Sequence, residues 1–147
     1  MSLTYHPRQG EVLMCDYGAG GFIAPEMVKT RPIVVLSPKR LNAQTCLVVP
    51  LSTTTPTVQL SHHHIINPMS LPRALRQEVS WVKGDMVTHV AVSRLDRVRY
   101  RRSVDGRRVY ESTIVLEADW RAIQICIRHS LGLNDIRPGA SDTAAAK

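Results

Sequence analysis

No apolar run in this sequence approaches the roughly 18 residues that a membrane-spanning helix needs, and no secretory h-region opens the chain. Together these absences predict a cytoplasmic protein without a membrane partner. Cysteine is nearly absent. Cys15, Cys46 and Cys126 are odd in number and far apart, lack CxxC or Cys/His spacing, and each lies in an apolar stretch. That excludes a disulfide framework and predicts free, buried thiols in a reducing compartment. Glycines cluster at 18–21, but neither a GxGxxG pattern nor a Walker lysine follows, and no helix is predicted after them. A nucleotide-binding turn is therefore excluded. Aromatics make up only 5% of the chain, which leaves Phe22, Trp81 and Tyr100 as candidates for stacking on a base. Acidic residues are outnumbered, 12 against 19 lysines and arginines, giving a net charge of +7 and a pI near 9.8. Such a balance favours a polyanionic partner, nucleic acid first and acidic membrane second.

What is present is ordinary globular composition, 44% hydrophobic and 21% charged over 147 residues. One domain is expected, large enough to bury roughly 68–70% of the unfolded surface. Residues 10–17 (GEVLMCDY) predict a first strand, with Val12, Met14 and Cys15 inward. Residues 18–30 read as a loop. Pro32 then opens an apolar strand, since a proline is tolerated at a strand's first residue, and this leaves Arg31 on the end of the loop before it. Residues 45–54 predict a third strand, with Pro50 marking a bulge or an edge. A fourth strand is expected over 57–66, a polar loop with one helical turn over 67–77, and one or two strands around Gly84-Asp85. Asp105-Gly106, between alternating stretches at 98–111, is the signal of a two-residue hairpin turn.

The one long helix is predicted over 116–133. Leu116, Trp120, Ile123, Ile127 and Leu131 share a face at intervals of three and four. Glu117 and Asp119 suit its positive end, Arg128 and His129 its negative end, and Gly132 its stop. Residues 137–147 form a polar tail expected to be disordered, so the domain is placed at 1–136. Short strands with one late helix predict a small, strongly bent sheet or barrel with a docked helix.

Taken in order, "GEVLMCDY", "PEMVKTRPIVVLS", "CLVVPLSTT", "WVKGDMV…RL" and a helix ending "LGL" resemble the MazF/PemK family of toxin endoribonucleases, over roughly residues 10 to 133. Its most specific features are Glu26 five residues ahead of Arg31, then a valine-proline-hydroxyl strand end. The resemblance implies a mainly β, SH3-like small barrel with a C-terminal α-helix, working as a homodimer. It implies a type II toxin whose antitoxin covers an RNA groove. The implied activity is sequence-selective, metal-independent cleavage of single-stranded RNA, mostly mRNA, to 2′,3′-cyclic phosphate and 5′-hydroxyl ends, with no cofactor.

Such a cleavage takes a proton from the 2′-hydroxyl, stabilises charge on the phosphorane and returns a proton to the 5′-oxygen. Arg31 matches the family's catalytic arginine: a guanidinium is planar, always charged and grips two phosphate oxygens at once. Counting from Pro50, the family's threonine position falls on Ser52, with Thr53 next, and the choice between these two hydroxyls stays open. Glu26 matches the family's glutamate and is expected to orient Arg31 or influence proton transfer. Lys29 and Thr54, beside these residues, are expected RNA contacts. His62, His63 and His64 lack an acidic or cysteine companion at ligand spacing, so no metal site is expected. Strand neighbours point to opposite faces, so the pair expected near the groove is His62 and His64. Lys83 and Asp85 are assigned to base edges and Arg94 to phosphate. Arg101 and Arg102 stand with Arg97, Arg99, Arg107 and Arg108 in a basic strip around the hairpin, expected on the RNA backbone. The competing reading is a non-catalytic protein on the same fold, either a CcdB-like gyrase poison or an RNA-binding regulator. A gyrase poison would need a terminal hydrophobic hook, which residues 142–147 (DTAAAK) do not supply.

Overall fold

The structure, a computed structural model, describes residues 3–18, 21–39 and 44–133. Ten strands and one α-helix are present among them: β1 (Glu11–Asp16), β2 (Thr30–Val35), β3 (Thr45–Ser52), β4 (His63–Ile65), β5 (Trp81–Lys83), β6 (Thr88–Ala91), β7 (Leu95–Asp96), β8 (Val98–Arg102), β9 (Arg108–Glu111), β10 (Thr113–Ile114) and α1 (Glu117–Ser130). Eight strands form one antiparallel sheet in the order β10-β1-β2-β3-β5-β4, with β6 on β3 and β7 on β1. The sheet curls into a half-barrel and carries α1 on one face, the mainly β class with a C-terminal helix that was expected. β8 and β9 pair separately as a hairpin.

The central strands are buried on both faces, which is why they read as continuous apolar runs rather than alternating ones. Val12, Val34, Val49, Leu51 and Val82 pack with Ile123 of α1, while Leu13, Cys15, Ile33, Val35 and Val48 fill the opposite face inside the curl. Full burial of such a side chain contributes about 1.5–3 kcal/mol. Cys15 is inward as expected, but Leu13 takes the buried place expected of Met14, which is only half-buried. β3 runs without a register shift, so the expected bulge at Pro50 is not formed. On its outer side β3 pairs with β6 up to Val48 and with β5 from Leu51. Pro50 falls in the gap between those partners, where its missing N–H costs no ladder bond. The fourth strand shrinks from the expected 57–66 to His63–Ile65. The hairpin turn is five residues long between the paired Arg102 and Arg108, not two, closed by the Ser103 N–H on the Arg107 carbonyl at 2.6 Å.

α1 buries Asp119, Ile123 and Cys126, with Trp120 and Ile127 half-covered; Leu116 and Leu131, placed on that face by periodicity, are 43% and 62% exposed. The sheet covers only the middle of the helix, so its ends need no apolar residue. Asp119 is tolerated in the interface because it is fully bonded. His64 Nε2 donates to it at 2.9 Å and the Asn67 N–H at 3.0 Å, and the Ser70 hydroxyl donates as well. Ser70 Oγ in turn accepts the Leu116 N–H at 2.9 Å, tying the helix start to the loop after β4. At the other end Gly84 lets β5 approach α1 closely. A Cβ there would stand 2.7 Å from the His62 carbonyl oxygen and 3.0 Å from Cys126 Cβ.

Candidate functional site: a cationic row on the open sheet face

Strand register decides which side chains can meet. Val34, Val49, Leu51 and Val82 face α1. Their alternates therefore face the other way, and directly paired residues share a face. Ser52 pairs with Trp81, which pairs with Ile65; Lys83 pairs with His63. Arg31, two residues from the inward Ile33 on β2, lies on that same face with Cys15 as its cross-strand partner. Pairing between β2 and β3 stops at Ile33 and Pro50, so Arg31 and Ser52 lie side by side just beyond the last paired residues, where the sheet opens. Arg31, Ser52, Trp81, Lys83 and His63 thus occupy one side of the sheet, opposite the helix.

Arg31 lies inside β2, not on the loop end expected from Pro32, because the β1 pairing runs through Cys15–Arg31 to Asp16–Thr30. It is half-buried, and its Nε is buried without a hydrogen-bond partner among the described residues. The titratable groups of the core on this side of the sheet stay neutral. Burial pushes the Cys15 thiol up to about 12 and the Cys46 thiol to about 11, and raises the Tyr17 phenol. No carboxylate among the described residues pairs with Arg31, so its charge is uncompensated there. Ser52 is buried, and its Oγ accepts the Thr54 N–H at 3.2 Å, which leaves the hydroxyl proton free to donate. Thr53 and Thr54 are exposed in the bend beyond the strand. Glu26 and Lys29 are exposed on the preceding loop, and Glu26 does not pair with Arg31.

The remaining expected residues scatter. His64 points to the helix side and is held by Asp119, away from Arg31. His62 Nε2 lies 3.6 Å from Asp85 Oδ2, and its ring meets that of His63 edge-on with centroids 4.2 Å apart. The residue of the triplet on the Arg31 face is His63, because its partner is Lys83 while His64 pairs with the helix-facing Val82; the sequence does not contain that pairing. His62, His63 and Asp85 bring potential ligand atoms within 4.8 Å of one another, so the acidic companion missing from the local sequence is supplied by the fold. Arg94 Nη1 donates to the Asp16 carbonyl at 3.0 Å and its guanidinium lies over Phe22, pinning the loop after β1. Arg101 and Arg102 are exposed on β8. None of the three aromatics offers a free face. Trp81 is 6% exposed, Phe22 packs edge-on against Tyr17, and Tyr100 lies under Arg73 at 4.2 Å and Arg101 at 5.1 Å. The buried Trp81 Nε1 also lacks a partner among the described residues. Sequence marked Trp81 only as a stacking candidate; its position beside Ser52 is a product of strand pairing.

A half-barrel of antiparallel strands, a docked C-terminal helix and an unneutralised arginine at an opening in the sheet define a small β domain built to meet an anion. The family model for the PemK-like, MazF-like toxins of type II toxin–antitoxin systems matches residues 8–117, and the chain belongs to that family. Among curated relatives, putative uncharacterized protein YifN of Escherichia coli (strain K12) is 33% identical over 120 residues, 67% of this chain and 78% of the relative. An uncharacterized protein of Haemophilus influenzae is 36% identical over 107 residues, covering 65% and 73%. Solved structures that share the fold include MazF from Deinococcus radiodurans, with a TM-score of 0.59 at 15% identity over 87% of this chain and 98% of that one. A mycobacterial endoribonuclease in complex with its cognate antitoxin has a TM-score of 0.56 at 19% identity, covering 86% and 96%. Among the described residues no helix is long and apolar enough to cross a membrane.

Proposed function

We propose that the protein is a metal-independent endoribonuclease toxin that cuts single-stranded RNA, mRNA above all, at sequence-selected sites, leaving 2′,3′-cyclic phosphate and 5′-hydroxyl ends. One observation carries this reading: the half-buried, uncompensated Arg31 guanidinium beside a buried hydroxyl at the sheet opening. Arg31 holds the non-bridging oxygens of the scissile phosphate and stabilises the charge that builds there when the 2′-oxygen attacks. A donor fixed in a strand ladder needs no reorganisation at that moment, the condition under which electrostatic stabilisation is most effective. Ser52 donates its free hydroxyl proton to the same phosphorane. Glu26, exposed and unpaired with Arg31, is available to take the 2′-proton. Lys29, Thr53 and Thr54 line the approach.

The neighbours that share this fold include an endoribonuclease bound to its cognate antitoxin, and by that analogy an antitoxin segment covers the groove here. Two copies of the chain are proposed to form the working unit. The test is incubation of the pure protein with long single-stranded RNA in EDTA, with cut sites and end groups mapped. Cyclic phosphate ends at a recurrent word are expected. Intact RNA, or cutting restored only by added metal, refutes the reading. Light scattering is expected to report about twice the 16.4 kDa chain mass.

A further inference from the structure

We propose that His63 and Lys83 form a second phosphate subsite, on the same sheet face as Arg31 and Ser52, that takes a phosphodiester next to the scissile one. The proposal rests on the RNA-cleaving reading for its ligand, but its geometry stands independently.

The two side chains are directly opposed across β4 and β5, so their Cβ atoms are about 4.5–5.5 Å apart. Both point away from α1, because Val82 and His64 between them point toward it. Lys83 lies one strand over and two residues along from Ser52. With a rise of about 3.3 Å per residue and strands about 4.8 Å apart, that is about 8 Å between Cα atoms. A flexible lysine at that distance reaches the next nucleotide of an RNA strand whose scissile phosphate is on Arg31.

The donors are already set. The Leu60 N–H points at His63 Nδ1 at 3.0 Å, so Nδ1 accepts. In the neutral ring the proton then resides on Nε2, the free donor. Burial, then His62 and Lys83, hold the His63 imidazole below its ordinary value of 6.5, while Asp85 opposes them more weakly. Asp85 itself lies against His62 at 3.6 Å. His63 is therefore a neutral N–H donor near pH 7. A phosphate on Nε2 favours its charged form, and affinity rises as pH falls through its pKa once the Leu60 N–H releases Nδ1, which is a donor in the charged ring.

The same neighbourhood has the ligand types of a divalent transition-metal site in His62, His63 and Asp85. Two contacts argue against a cation. A ligating histidine donates its second N–H to an acceptor, whereas His63 Nδ1 faces a donor. The Lys83 ammonium also stands directly opposite. An anion meets two donors where a cation would meet a like charge.

The experiment follows the His63 imidazole resonance of the full-length protein by NMR, assigned with His63→Gln. It is titrated with inorganic phosphate, with a short RNA carrying a 2′-deoxy sugar at the cut site, and with Zn²⁺. Phosphate and the oligonucleotide are expected to move the resonance, and Lys83→Met is expected to abolish the phosphate response. Anisotropy on the oligonucleotide is expected to show roughly 5- to 10-fold weaker binding for either variant. For Lys83→Met the salt slope should also fall by about 0.7. The gain in affinity at acid pH should vanish in His63→Gln. A resonance silent to both phosphate and oligonucleotide overturns the subsite. So does Zn²⁺ binding that is lost in both His63→Gln and Asp85→Asn, which would make the cluster a metal site. A response to phosphate without one to the oligonucleotide upholds the subsite and refutes the RNA reading.

Discussion

Arg31 and the arginines of the β8–β9 hairpin carry the same charge in opposite settings. Arg31 is held in the ladder of β2, half-buried and, among the described residues, without a carboxylate partner. The hairpin arginines are exposed on a two-stranded sheet of their own, and several rest on their neighbours: Arg101 over Tyr100, Arg97 over Tyr110, and Arg107 beside Asp105 at 3.4 Å. A charge fixed before the reaction acts on one phosphate with full effect. A charge that is solvated and mobile is screened by salt within about 8–10 Å. The first setting suits chemistry and the second suits attraction. The number of arginines in a stretch of sequence therefore says little about where catalysis occurs.

Substitutions at Arg31 should break that contrast most sharply. Arg31→Ala should lower cleavage by at least about 10²-fold, with the melting temperature nearly unchanged. Arg31→Lys should recover little, because a point charge does not reproduce a bidentate fork. Arg101→Lys on the hairpin should be silent. Equal rates for wild type and Arg31→Ala would remove Arg31 from the chemistry.

Next in size is the hydroxyl beside it. Ser52→Ala should cost about 10²-fold if it donates to the phosphorane, Ser52→Thr should retain activity, and Thr53→Ala should cost far less. The unshifted register of β3 puts Ser52, not Thr53, on the Arg31 side. An inactive Thr53→Ala with an active Ser52→Ala would mean that the bend at 53–54 rearranges on RNA binding.

A smaller effect is expected from neutralising Arg101, Arg102, Arg107 and Arg108 together. Affinity at low salt should fall, and the slope of log affinity against log salt should drop by about 0.7 for each phosphate that the hairpin no longer neutralises. The recognised word should not change. A shifted cleavage word would show that the hairpin reads bases and would erase the distinction between the two settings.

The smallest effect concerns the thiols buried in the core with Leu13 and Ile33. With Cys15 held near 12 and Cys46 near 11 by burial, neither should be alkylated in the folded protein at pH 8. Both should label after unfolding. Because the unfolded thiols ionise first, near their ordinary 9.0, the folded state should lose stability as pH rises from about 9 toward those values. Rapid labelling of native protein at pH 8 would show that this core opens to solvent.

Within this chain, sequence alone was enough wherever the information is local. The β1, β2 and β3 runs, the amphipathic helix with its Gly132 stop at φ +69°, and the turn glycine Gly106 at φ +82° all follow from neighbouring residues. So does the ordered set of family motifs that names Arg31. Periodicity also found Ile123 as a core residue of α1 but not Asp119, since a buried carboxylate depends on donors from His64, Asn67 and Ser70 some 50 positions away. Only tertiary structure settled which histidine shares the sheet face of Arg31, that Trp81 flanks Ser52, that Asp85 joins His62, and that Tyr100 is already covered by Arg73. The first two depend on strand register, where a shift of one residue turns every side chain to the other face, and the last two on how loops and turns pack. Register is set by pairing across the sheet and by what the far face buries, and no stretch of the chain contains both.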